Sequence, residues 1–174
     1  MTAKAQSLKP RAQSLEPRAS SSAYLDGLKM LARRELSEAQ VRRRLARKGH
    51  HADAVNAAVE QLCAERAIDD ARVAEAIAHT EVSIRRRGRL RVRRQIEQAG
   101  IAPAIARRAV DAVFGTIDDD ALLEASLAKR LRGRDLAGDE AEFARLFRYL
   151  VGQGFEPERV MAALKKRKAH RAPS

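Results

Sequence analysis

The chain has 174 residues and carries 35 Lys and Arg against 23 Asp and Glu, a formal charge of +12. A soluble protein this basic meets nucleic acid, an anionic membrane face or an acidic partner, and the absence of any apolar run near the roughly 18 residues of a membrane span, or of a signal-peptide h-region, favours a soluble cytoplasmic protein. Hydrophobic residues make up 45% but aromatics only 3%, with Trp absent and Ala abundant, so a thin core spread along helix seams is expected.

Residues 1–22 read as a disordered basic tail. Ala5-Gln6-Ser7-Leu8-Lys9-Pro10-Arg11 recurs as Ala12-Gln13-Ser14-Leu15-Glu16-Pro17-Arg18, followed by Ser20-Ser21-Ser22. Short duplication rich in Pro and Ser buries too little surface to fold alone.

From Ala23 onward the glycines set a rhythm. Eight residues before Gly49, Gly100 and Gly154 stand Val41, Val92 and Leu146, and four before stand Leu45, Ile96 and Leu150. Nine residues after them come Ala58, Ala109 and Ala163, and ten after come Val59, Val110 and Leu164. One apolar template used three times without a gap marks an internal repeat. Each Gly is a helix stop at the position where φ turns positive, between helices whose apolar residues are spaced by four. A further helix opens each unit. Ile68-Asp69-Asp70 and Ile117-Asp118-Asp119 place an Asp at the N-cap, where its carboxylate accepts free amide hydrogens. Ser22 has this place less clearly in the first unit, and Ser37 with Gln40 reads as a capping box for the second helix.

The predicted fold is therefore all-α: three tandem three-helix repeats at 23–67, 68–116 and 117–168, with a C-terminal tail at 169–174. A three-helix unit of about fifty residues is marginal alone, so neighbouring repeats should support one another in an elongated, curved body.

Charge is concentrated in the first two repeats. Around the buried stripe of Val41 and Leu45 stand Arg42, Arg43, Arg44 and Arg47, with Lys48 at the rim. Arg85, Arg86, Arg87, Arg89, Arg91, Arg93 and Arg94 put seven arginines into ten residues across the Gly88 turn. Like charges this dense repel, and a counter-anion would relieve the cost. These residues are the candidate surface for an anionic partner. In the third repeat Phe147, Arg148 and Tyr149 replace Arg42, Arg43 and Arg44, and Phe143, Phe147, Tyr149 and Phe155 read as a larger core, with a partner-protein patch as the alternative. Lys165-Lys166-Arg167-Lys168 is a phosphate contact or favourable charge at a helix C-terminus.

Reactive chemistry is not apparent. Cys63, alone in the chain, excludes an intramolecular disulfide and reads as a buried structural thiol. His50 and His51 read as solvated loop residues, and no histidine has a partner at metal-ligand spacing. Asp118-Asp119-Asp120 is explained by a helix N-terminus, and Arg87-Gly88-Arg89 lacks the pattern of a phosphate loop. No catalytic residue, cofactor or metal ligand is expected.

Three stretches resemble a known family. Tyr24, Leu28, Leu31, Arg33-Arg34-Glu35-Leu36-Ser37-Glu38, Val41, Leu45 and Lys48-Gly49 are similar to the opening signature of the RecX family, and Ile68-Asp69-Asp70-Ala71-Arg72-Val73-Ala74-Glu75 resembles its second signature. Gly100-Ile101 resembles a third. The family usually has Phe where Val73 stands and Gly-Pro near Gly88. The resemblance implies a bacterial regulator that binds RecA filaments on single-stranded DNA; a monomer is expected. It would suppress filament growth, ATP hydrolysis and strand exchange, and so bear on recombination, DNA repair and the SOS response. The rival reading, from charge alone, is an independent sequence-nonspecific DNA-binding protein.

Overall fold

A computed structural model describes residues 16–132 and 140–169, and amphipathic helices with an apolar residue every third or fourth position dominate these residues. Among these residues there are nine α-helices and no strand: α1 (Glu16–Leu31), α2 (Glu38–Arg47), α3 (Ala52–Ala64), α4 (Asp70–Ser83), α5 (Arg89–Gln98), α6 (Pro103–Phe114), α7 (Asp119–Leu131), α8 (Glu140–Gly152) and α9 (Pro157–Ala169). Helix α1 starts seven residues before Ala23, with Glu16 and Pro17 in its first turn. Pro there lacks only an amide hydrogen that no helical carbonyl would accept. Of the tail expected over 1–22, residues 1–15 lie outside the described residues, as do 170–174 of the expected C-terminal tail.

The helix ends follow the capping chemistry. Gly49, Gly100 and Gly154 have φ of 91°, 86° and 93°, each just past the second helix of its set of three. Asp69 caps α4 by accepting from the Arg72 amide, and Asp118 caps α7 by accepting from the amides of Asp120 and Ala121. The Asp118-Asp119-Asp120 run is thus a helix start.

The described residues fall into two compact units: Ser37–Ala39 group with the residues from Asp69 onward, and the rest up to Ile68 form the first unit. In the first, α1 lies along α3 over a core of Leu36, Val41, Leu45, Val59 and Leu62. A Cβ on Gly27 would sit 2.7 Å from Leu62 Cδ1, so the glycine permits this close approach. Cys63 packs at the edge of this core and is half-buried rather than fully buried, because it sits one position beyond the inward-facing Leu62.

The second unit has one contiguous core instead of a thin seam. Helices α4, α5 and α6 contribute Ala74, Ala78, Val92, Ile96 and Val110, and α7, α8 and α9 contribute Leu123, Leu127, Leu150 and Leu164. Ala on the facing positions lets the α4 and α6 axes approach. Phe155 is buried, and Phe143, Phe147 and Tyr149 pack partly buried against the same cluster, so the aromatics serve the core.

One contact recurs within this unit at the spacing of the glycines. Ser37 donates its hydroxyl to the Ala99 carbonyl at 2.6 Å, and the Gly88 amide donates to the Gln153 carbonyl at 2.9 Å. Ser37 and Gly88 are 51 residues apart, as are Gly49 and Gly100; Ala99 and Gln153 are 54 apart, as are Gly100 and Gly154. Beside the second contact, the Leu90 amide donates to the Gly154 carbonyl at 3.1 Å. Backbone meets backbone here, and only glycine fits: a Cβ on Gly88 would lie 2.5 Å from the Gly154 carbonyl carbon.

Candidate anionic-partner surface

Two sets of cations were expected to face a partner, one in each unit. In the first unit, α2 buries Val41 and Leu45, which leaves its other positions for solvent. Arg43 and Arg47 are exposed and Arg44 is half-buried. None of these three has a hydrogen-bond or ion-pair partner among the described residues. Arg42 donates to Asn56 Oδ1 on α3 at 2.6 Å. Lys48 Nζ lies 2.9 Å from Asp26 Oδ1, and His50 Nε2 lies 2.9 Å from Asp26 Oδ2. His50 is therefore not the solvated loop residue expected of it. The positive φ of Gly49 turns the chain so that His50 comes back against α1, where Asp26 meets it. Lys48 first, then His50, holds the Asp26 carboxyl below its ordinary value, through hydrogen bonds that favour the ionised form. His51 is exposed and stands at the N-cap of α3.

In the second unit the arginine-rich segment runs from the end of α4, through an irregular stretch at 84–88, into the first two turns of α5. Much of its charge is neutralised from within. Glu81, 3% exposed, accepts from Arg85 Nη1 at 2.8 Å and from Arg87 Nη1 at 2.5 Å. Arg89 reaches Asp111 at 2.8 Å and Asp119 at 3.9 Å, and its guanidinium lies 4.8 Å from the centre of the Phe114 ring. Arg93 stands 3.7 Å from Glu97, one helical turn on. Arg91 donates to the Gly152 carbonyl at 3.4 Å. The repulsion anticipated for seven clustered arginines is thus met largely by the protein's own carboxylates. Arg86 and Arg94 differ. Both are exposed, and neither has a partner among the described residues. Arg86 also adopts φ of 57°, a left-handed conformation that a side chain bearing Cβ enters at a cost. Carbonyl contacts hold it there: its amide donates to Val82 O at 3.1 Å, and the Arg87 amide donates to Glu81 O at 3.1 Å.

Sequence reasoning missed the organising acid. Glu81 reads as one more polar residue of α4, though its spacing of four from Arg85 was a usable signal. It also missed Arg34, which approaches Arg44 closely enough for its charge to be felt there. In α9, Arg167 pairs with Glu124 at 2.9 Å. Among the described residues there is no cluster of His, Cys, Asp and Glu that could hold a metal ion, and no helix is long and apolar enough to cross a membrane.

Fold and surface define an all-helical, basic protein in which helices meeting at glycine turns display guanidinium groups, some tied to carboxylates and some free. A family model for the first three-helix domain of RecX matches residues 23–62. Regulatory protein RecX of Halorhodospira halophila is 31% identical over 137 residues, covering 78% of this chain and 82% of its own. Regulatory protein RecX of Chromohalobacter salexigens is 33% identical over 141 residues, covering 80% and 88%. The crystal structure of RecX from Lactobacillus salivarius superposes with a TM-score of 0.71 at 20% identity, covering 88% of this chain and 99% of that one, a likeness of fold. The chain belongs to the RecX family of regulatory proteins.

Proposed function

We propose that this protein is a non-enzymatic inhibitor of the RecA recombinase, acting in the cytoplasm on RecA filaments assembled on single-stranded DNA. Membership of the RecX family supports the choice of target. The observation that carries the anionic half of the reading is that, of the candidate cations, Arg43 and Arg47 in the first unit and Arg86 and Arg94 in the second are exposed and left without an internal carboxylate. Unpaired arginines hold their charge available for phosphate or carboxylate oxygens, whereas Arg85, Arg87 and Arg89 must first break a contact. The remaining cations of the candidate surface, Arg42, Arg44, Lys48, Arg91 and Arg93, border these positions.

The test is RecA-catalysed ATP hydrolysis on single-stranded DNA with and without the protein. Hydrolysis falls as the protein approaches a stoichiometric ratio to RecA. Unchanged hydrolysis, together with tight and steeply salt-dependent binding to DNA alone, would replace this reading with that of an independent nonspecific DNA-binding protein.

A further inference from the structure

The first unit carries a group of cations that its own carboxylates do not neutralise. Met30 on α1 and Arg44, Arg47 and Lys48 at the end of α2 and the turn beyond it line a shallow cup of about 210 Å³. Arg34, just past α1, stands near enough to Arg44 to act on its charge. Partial burial, then Arg34, then Arg47, makes Arg44 give up its proton more readily than a solvated arginine. Lys48 is bound to Asp26, and that same carboxylate is shared with His50. Arg34, Arg44 and Arg47 have no hydrogen-bond or ion-pair partner among the described residues. This is the reverse of the arrangement at Glu81, where a buried carboxylate joins two arginines.

Arg44 and Arg47 line one cup and Arg34 stands beside it, close enough to act on Arg44, which is half-buried; like charges so placed destabilise the folded chain unless an anion sits among them. Guanidinium chemistry also restricts the anion. Each guanidinium offers a planar fork of N–H donors, and three forks supply more donors than the two oxygens of a carboxylate can accept. A phosphate group, with oxygens in a tetrahedron, can accept from several forks at once. The open side of the cup suits a group carried on a larger molecule.

We propose that Arg34, Arg44 and Arg47 form a phosphate-binding site on the first unit, taking a backbone phosphate of a nucleic-acid strand or a free phosphate. The inference rests on the reading that the cations of α2 face an anionic partner. It adds to it the ligand class, the cup and Arg34.

Thermal melts of the full chain test it, in chloride alone, with sodium phosphate, and with a short oligodeoxythymidylate. The wild type melts about 5 °C higher with the strand. A rise with sodium phosphate as well supports a site open to any phosphate; a rise with the strand alone supports the site and identifies the strand as its source. The R34A/R44A variant melts above the wild type in chloride, because the repulsion is gone, and loses at least half of the ligand-induced rise. The R34K/R44K variant, which keeps the charges without the forks, responds between the two and guards against a folding defect. An equal rise in wild type and R34A/R44A, or no rise with either ligand, overturns the site. These melts contain no RecA, so a negative result leaves inhibition of RecA standing, and a failure to inhibit RecA leaves the phosphate site standing.

Discussion

The carboxylate of Glu81 accepts a hydrogen bond from Arg87 Nη1 at 2.5 Å in the second unit, with the glutamate side chain 4% and the arginine side chain 18% exposed. Arg85 shares the same carboxylate but is 51% exposed. The pair fixes the segment between α4 and α5, from which Arg86 projects unpaired.

Replacing Glu81 with Ala leaves Arg87 partly buried without its counter-charge and loosens the 84–88 segment. The expected cost is about 2 kcal/mol, below the usual range for a broken buried ion pair because both arginines retain some access to water. Urea unfolding followed by helical CD should show a lower midpoint at an unchanged slope. Replacing Arg85 alone should cost under about 0.5 kcal/mol.

The glycine turns give a second contrast. Gly49 and Gly154 have nearly the same φ, 91° and 93°. A Cβ at Gly49 meets nothing within 4 Å, whereas one at Gly154 would lie 2.3 Å from the Arg91 amide nitrogen and 2.5 Å from Arg91 Cβ. Gly49→Ala should cost about 1 kcal/mol, the strain of a left-handed backbone alone. Gly154→Ala should cost at least about 2 kcal/mol more, because it forces apart the backbone contact that joins Gly88 and Leu90 to Gln153 and Gly154. Unfolding midpoints of the two variants, measured side by side, decide this.

These contrasts show what was legible in the sequence. The glycine stops and the Asp69 and Asp118 caps were readable because their chemistry is local: a positive φ or an N-cap is specified within about four residues. All-helical structure followed from the four-residue spacing of Leu, Val and Ala. The pairs one turn apart, Arg85 with Glu81 and Arg93 with Glu97, were within reach of the sequence, but the fate of other charges was not, because it depends on partners distant in sequence. Arg89 finds Asp111, 22 positions away, and His50 finds Asp26, 24 positions away. The single contiguous core of the second unit was missed for a related reason. Ala counts as little volume along one helix, yet it lets neighbouring helices close in until Val, Leu and Phe from several of them touch.

Acid should weaken the first unit through Asp26. Lys48 and His50 lower its folded-state pKa below the ordinary 3.8. A depressed carboxyl contributes stability that is fully present above the unfolded value and is lost as pH falls through 3.8 and on through the lower folded value. Asp26→Asn should therefore flatten the fall of the melting temperature over that acid range. Asp70 acts in the opposite sense, since burial raises its pKa. Its unfavourable contribution grows as pH rises through 3.8 to its folded value. A D26N variant whose melting temperature falls with acid as steeply as the wild type would contradict the role of the Asp26 cluster.

The central claim is that unpaired arginines let this RecX-family protein restrain RecA. The most direct measurement is the rate of RecA ATP hydrolysis on single-stranded DNA, titrated with wild type, with the R43A/R47A/R86A/R94A variant and with R93A, whose arginine is already paired with Glu97. Wild type and R93A should inhibit at similar concentrations. The fourfold variant, with its helical CD signal intact, should need at least about tenfold more protein, a loss of roughly 1.4 kcal/mol. Equal inhibition by all three, or none by the wild type at a stoichiometric ratio, would contradict the account.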